Sequence, residues 1–116
     1  EISACLVGSE MCIRDSQFKF ADMSAEIRAM ELMTYDTARM KAEGKRHTLE
    51  AAQTKLFSGV HCTQICLECQ QVLGGNGYSK EYHVERFVRD AKLLEIGEGT
   101  NEILRMLIGG TVLAQK

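Results

Sequence analysis

An all-α fold, an antiparallel four-helix bundle, is what this 116-residue sequence predicts. Apolar residues recur at three- and four-residue steps over most of the chain, and no segment reads as a convincing strand. The helical segments are separated by short connections rich in glycine, which favour antiparallel neighbours. Proline is absent throughout, so nothing of that kind interrupts the helices.

The first predicted helix runs from Gln17 to Glu43. Phe20, Met23, Ile27, Met30 and Thr34 form its apolar stripe, while Asp22, Glu26 and Arg39 lie off it. Gly44 is its C-terminal stop, with Lys45 and Arg46 just beyond. Thr48 is the candidate N-cap of a second long helix that reaches about Leu73. GGNGY, Gly74 to Tyr78, follows as a loop. Ser79 can cap a shorter helix through KEYHVERFVRDAK. LLEIGEG then serves as a linker to a last helix that begins at Thr100 or Asn101 and ends near Leu113.

The first sixteen residues, EISACLVGSEMCIRDS, fit this scheme poorly. They open without Met and show little sustained periodicity. They resemble a recurrent peptide translated from sequencing-adapter DNA at the broken end of an assembled contig. Residues 1–16 are therefore set apart as non-native or disordered, against the alternative of a genuine, partly helical N-terminus. Residues 17–116 form the predicted domain, as the tail of a longer protein. Without Arg14, Glu1, Glu10 and Asp15 the formal charges balance.

Composition narrows the function classes. The chain is 45% apolar and 26% charged, ordinary values for a globular protein. A net charge of -2 supplies no basic field for nucleic acid. No apolar run approaches the length of a membrane span. Five cysteines, an odd number, argue against a disulfide framework and for a reduced, intracellular setting.

Several features invite a chemical reading. Cys62, Cys66 and Cys69 spell C-x3-C-x2-C, but on a helix they form one stripe of small residues with Gly59 above and Leu73 below. A rigid helix converges such ligands poorly, so burial as small hydrophobes is the reading taken, with no metal assigned. His47, His61 and His83 are scattered and read as surface or packing residues. GGNG follows Gln70 and Gln71, whose amides could meet a ligand beside bare backbone N–H groups; a plain turn is the alternative. Glu98 stands between Gly97 and Gly99, just before a helix start. It is either a solvated acid that suits the helix dipole or a general base brought close to a ligand by bare backbone.

Three blocks then occur in order: QFKFADM (Gln17–Met23), QVLGGNGYSKEYHVERFVRDAK (Gln71–Lys92) and IGEGTNEI (Ile96–Ile103). Together they resemble the C-terminal helical domain of the acyl-CoA dehydrogenases, over residues 17–116 almost without gaps. The resemblance implies an FAD enzyme that oxidises acyl-CoA thioesters to trans-2-enoyl-CoA. It implies Glu98 as the catalytic base, taking the α-proton while the β-hydrogen leaves as hydride to flavin N5. Gln71, Val72, Leu73, Gly74 and Gly75 match a segment that contacts the FAD of a neighbouring subunit. Thr100, Asn101 and Glu102 match a second FAD-contact segment, and Gly97 and Gly99 match substrate positions. Arg89 and Asp90 read as structural ion-pair residues. A homotetramer, electron-transferring flavoprotein as the acceptor, and a bacterial cytoplasm or mitochondrial matrix are implied for the intact protein.

The chain also departs from the family pattern. The R-x-x-F-G flavin motif expected shortly before Gln17 is missing, as are the middle β-domain and most of the acyl pocket. The fragment alone is therefore expected to be inactive. Gly97 stands where the family often has Tyr, which implies a larger pocket for branched or bulky acyl groups. The rival function is a stand-alone, non-catalytic helical interaction module.

Overall fold

The computed structural model describes residues 10–115, with side chains from Arg14 onward. Five α-helices follow in order: α1 (Glu10–Ala42), α2 (Thr48–Val72), α3 (Gly75–Tyr78), α4 (Val84–Ile96) and α5 (Asn101–Leu113). Among the described residues there is no strand, so the all-α class read from the sequence is the class observed.

α1 starts at Glu10, seven positions before the predicted Gln17. Neither Gly nor Pro stands between Glu10 and Gln17, so nothing stops the helix from propagating backwards. Residues 1–9 lie outside the described residues. The stop at Gly44 follows the sequence reading. Gly44 takes φ 70°. Its N–H donates to Lys41 O at 3.1 Å and the Lys45 N–H to Met40 O at 2.9 Å, the paired bonds of a Schellman motif.

α1 and α2 run antiparallel. Lys19 pairs with Glu68 at 2.6 Å near one end, and Thr37 meets Thr54 at 2.9 Å near the other. The inward face of α1 is Met23, Glu26, Met30, Met33, Thr37 and Met40, at alternating steps of three and four. Of the predicted stripe only Met23 and Met30 turn inward, while Phe20, Ile27 and Thr34 are exposed. α1 carries apolar residues on more than one face, and α2 covers only one of them.

α2 is the shared partner of α1, α4 and α5. Its apolar residues lie all round, as suits a helix contacted on several sides. α5 runs antiparallel to it: Asn101 lies at Gly59, and Leu107 to Thr111 share a groove with Thr48 and Leu49. Leu94, near the end of α4, also reaches Gly59. Thus α4 and α5 follow one another along α2 and meet at the level of Gly59. The result is a rod of 59 × 27 × 26 Å.

Three connections differ from the sequence reading. His47, not Thr48, is the N-cap of α2, and its side chain makes no capping bond. Gly75–Tyr78 of GGNGY form one turn of helix, not an open loop. Gly77 makes the tight return possible, since a Cβ there would collide with the Gln70 backbone. Ser79 caps only a 3-10 turn, Lys80–Tyr82, before His83 turns left-handed at φ 60°. α4 then continues through Leu93–Ile96, the first part of the LLEIGEG stretch that the sequence reads as a linker. Leu and Glu there favour helix, and Gly97 is the first breaker.

The apolar core is small: Met23, Ala52, Ile65, Ala91 and Leu104. Large apolar side chains, among them Phe18, Tyr35, Leu93, Ile96 and Met106, remain exposed on several faces.

Candidate functional site: the α4–α5 turn

The turn Gly97–Thr100 joins α4 to α5 at Gly59. Gly97 closes α4, its N–H donating to Leu93 O at 2.7 Å, and then turns extended. Glu98 follows in the left-handed region at φ 51°, and Gly99 at φ 100°. A non-glycine residue in that region is disfavoured by about 1 kcal/mol or more. Thr100 returns to extended backbone, and its hydroxyl accepts the Ile103 N–H at 3.4 Å, starting α5. The Glu98 side chain is exposed.

The two flanking glycines serve different ends. Gly99 needs glycine for its backbone angle, and open space surrounds it. Gly97 has an ordinary φ of -71°. A Cβ there would come within 3.1 Å of the Leu93 carbonyl, so glycine suits the tight close of α4.

A polar floor lies beneath the turn. Asn101 is 4% exposed, and its Nδ2 donates to Glu95 Oε2 at 3.4 Å. Lys92 also reaches that carboxylate, at 3.0 Å. Hydrogen bonding from Thr63, and then from Lys92, holds the Glu95 carboxyl below the usual glutamate range. Lys55 Nζ donates to Gly99 O at 2.6 Å and to Leu94 O at 3.3 Å. Glu102, in the first turn of α5, is also held low, first by its own backbone N–H and then by the Thr100 hydroxyl.

Sequence reasoning missed Lys55 and Thr63 and saw Gly59 only as one end of a cysteine stripe. Their signal was the spacing Lys55, Gly59, Thr63. It places three residues at i, i+4 and i+8 on one face of α2, facing the turn.

Gln71, Val72, Leu73, Gly74 and Gly75 lie at the other end of α4. The remainder of α3, the 3-10 turn and the thirteen residues of α4 stand between the two blocks, and α4 alone is about 20 Å long. Within one chain they do not form one site. The Gln71–Gly75 end is exposed and carries its own groove, about 570 Å³, lined by Gln70, Gln71, Gly74, Gly75 and Tyr78. Gly74 has φ 58° and ψ -135°, open to glycine alone. A Cβ at Gly74 or Gly75 would meet nothing within 4 Å, so a ligand can reach this backbone. Thr100 and Glu102 sit at the α5 N-terminus, while the Asn101 side chain is turned inward.

The cysteines Cys62, Cys66 and Cys69 lie half-buried along α2. Burial, reinforced by Cys62, pushes the Cys66 thiol up to about 11. Among the described residues no three His, Cys, Asp or Glu side chains are placed to hold a metal ion. His61 stacks on Phe57, with ring centroids 4.0 Å apart, and faces Glu26 at 3.4 Å. Arg89 pairs with Glu85 at 3.0 Å and Asp90 with Arg86 at 3.8 Å, so the RDAK pair bonds along the helix and not to each other. No helix among the described residues is long and apolar enough to cross a membrane.

A protein-family profile described as "Acyl-CoA dehydrogenase, C-terminal domain" matches residues 14–113. The chain belongs to the acyl-CoA dehydrogenase family. Its relatives include a probable acyl-CoA dehydrogenase, YngJ, of Bacillus subtilis, 48% identical over 97 residues, 84% of this chain and 26% of that protein. Another is subunit CarC of the caffeyl-CoA reductase-Etf complex of Acetobacterium woodii, 38% identical over 83% of this chain and 25% of that protein. Among solved structures, butyryl-CoA dehydrogenase from Megasphaera elsdenii superposes with a TM-score of 0.87 and 41% identity. That match covers 92% of this chain and 28% of the other. The chain thus spans about a quarter of the length of these relatives.

Proposed function

We propose that this chain supplies the catalytic base and part of the flavin site of an acyl-CoA dehydrogenase, and that Glu98 is the base. The observation that carries the reading is the setting of Glu98. It is an exposed carboxylate in a left-handed backbone conformation, between glycines, on a turn tied down from below.

An α-C–H beside a thioester is too weak an acid for a carboxylate unless the developing oxyanion is stabilised. The bare backbone at Gly97 and Gly99 lets main chain and side chain approach the thioester together. Gly97, in place of a bulky residue, leaves room for a branched or broad acyl group. The Glu98 carboxylate takes the α-proton and holds it at its own oxygen. Water exclusion, which sharpens such a base, comes from parts of the intact protein beyond this turn.

The chain fits FAD at two places. Gln71–Gly75 offer amide groups and an approachable glycine backbone, and Thr100–Glu102 offer a helix N-terminus. Because about 20 Å of α4 separates them, we assign them to flavins of two different subunits in a homotetramer. Bound FAD would accept the β-hydrogen as hydride. Electron-transferring flavoprotein is the acceptor in this reading, with a bacterial cytoplasm or a mitochondrial matrix as the compartment. By itself the 116-residue chain is inactive in this reading, since the residues present supply only part of a flavin and substrate site.

The test is Glu98→Gln in the full-length flavoprotein. Flavin content should stay unchanged while reductive turnover falls by about 100-fold or more, the usual share of a general base. Undiminished turnover would remove Glu98 from the base role.

A further inference from the structure

We infer that Lys55 is the positioning residue of the Glu98 turn, a clamp that holds the backbone on both sides of the base. Its ammonium donates to Leu94 O, four residues before Glu98, at 3.3 Å, and to Gly99 O, one residue after it, at 2.6 Å. A lysine that merely capped α4 would need only the first of these bonds. Leu94 lies in the last turn of α4, where carbonyl groups lack helical partners and a cation suits the dipole. The shorter bond reaches past Glu98 to the far side of the turn.

The clamp works because α2 brings it close. Gly59 stands one helical turn beyond Lys55 on the same face. A Cβ at Gly59 would come within 3.2 Å of Leu94 O and 3.5 Å of Asn101 Oδ1, so a side chain there would push the junction out by a few tenths of an ångström. One turn further, Thr63 faces Glu95, which itself accepts from Asn101. Lys55, Gly59 and Thr63 thus form a track on α2 that receives the junction from below.

A clamp is needed for a physical reason. Glu98 lies between two glycines, and glycine leaves its backbone freer than any other residue. Untied, the turn would let the carboxylate sample many directions. Lys55 binds from the buried side and leaves the Glu98 side chain exposed. Rigid placement of a base is worth more than its mere presence. The catalytic meaning of the clamp rests on Glu98 acting as the base, but its existence does not. The experiment below uses neither flavin nor substrate, so its outcome is independent of that reading.

The experiment is 15N NMR on the labelled full 116-residue chain, as wild type, Lys55→Met and Lys55→Arg. In the wild type, backbone order parameters at Glu98 and Gly99 should match those of the helices, about 0.85. In Lys55→Met they should fall below about 0.6 at Glu98 and Gly99, while Ile65 in α2 and Ala91 in α4 stay rigid. Lys55→Arg, whose guanidinium can donate to both carbonyls, should restore the order. Unchanged order at Glu98 and Gly99 in Lys55→Met would overturn the inference. A second readout covers the case in which that variant loses its fold. In the wild type the Lys55 ammonium should give a slowly exchanging 15N signal; exchange as fast as that of exposed Lys80 would overturn the inference equally.

Discussion

Asn101 donates to Glu95 at 3.4 Å and so closes, from beneath, the turn that carries Glu98. The two residues end one helix and begin the next. Their bond fixes the distance between α4 and α5 without touching the exposed face of the turn.

That bond has a pH dependence. The Glu95 carboxyl is held low, first by Thr63 and then by Lys92. A carboxyl depressed in the folded state adds stability above its unfolded value and loses it as pH falls through the folded one. Acid destabilisation through Glu95 should therefore set in below the ordinary value of 4.5. Glu95→Gln should remove that part of the acid sensitivity, read by denaturant midpoints from pH 7 down to pH 3. Identical pH slopes in the two proteins would show that the carboxylate contributes nothing.

Gly77 is a steric requirement of the turn after α2. A Cβ there would run into the Gln70 backbone, and Gln70 Nε2 also donates to Gly77 O at 3.2 Å. Gly77→Ala should lower stability by about 1–3 kcal/mol through overpacking. A urea midpoint unchanged from wild type would contradict this packing.

Cys66 should be the least reactive of Cys62, Cys66 and Cys69. Burial pushes its thiol up to about 11, with Cys62 adding to the effect, and the thiolate is the nucleophile. At pH 8, iodoacetamide followed by peptide mass mapping should label Cys62 and Cys69 before Cys66. Labelling of Cys66 first would place its environment wrongly.

Glu98 is held where glycine would be at ease. Glu98→Gly should leave the chain as stable or more stable, by up to about 1 kcal/mol, because the left-handed backbone disfavours a side chain. A clear loss of stability would mean that the Glu98 side chain makes stabilising contacts, and the strain argument would fail.

Much of this was legible in the sequence. The long helices, the stop at Gly44 and the start of α5 after Thr100 all follow from local signals. Periodicity, glycine and capping residues carry them. What stayed hidden was non-local. The inward face of α1 depends on which of its apolar sides α2 covers, so Phe20 and Ile27 looked interior and are exposed. GGNGY looked like a loop because its helical turn depends on Gly77 closing against Gln70. Lys55 was silent because its partner, Gly99, lies 44 residues away. Nothing in a local window marks a lysine as a clamp.

The most direct test of the central claim is α-proton exchange. A full-length flavoprotein carrying this domain is incubated in D2O with an acyl-CoA thioester, and deuterium at the α-carbon is followed by mass spectrometry. With Glu98 present, solvent deuterium should enter the α-position. With Glu98→Gln, at the same flavin content, incorporation should fall by about 100-fold or more. Undiminished exchange in that variant would contradict the account, and the base would have to be sought on another residue.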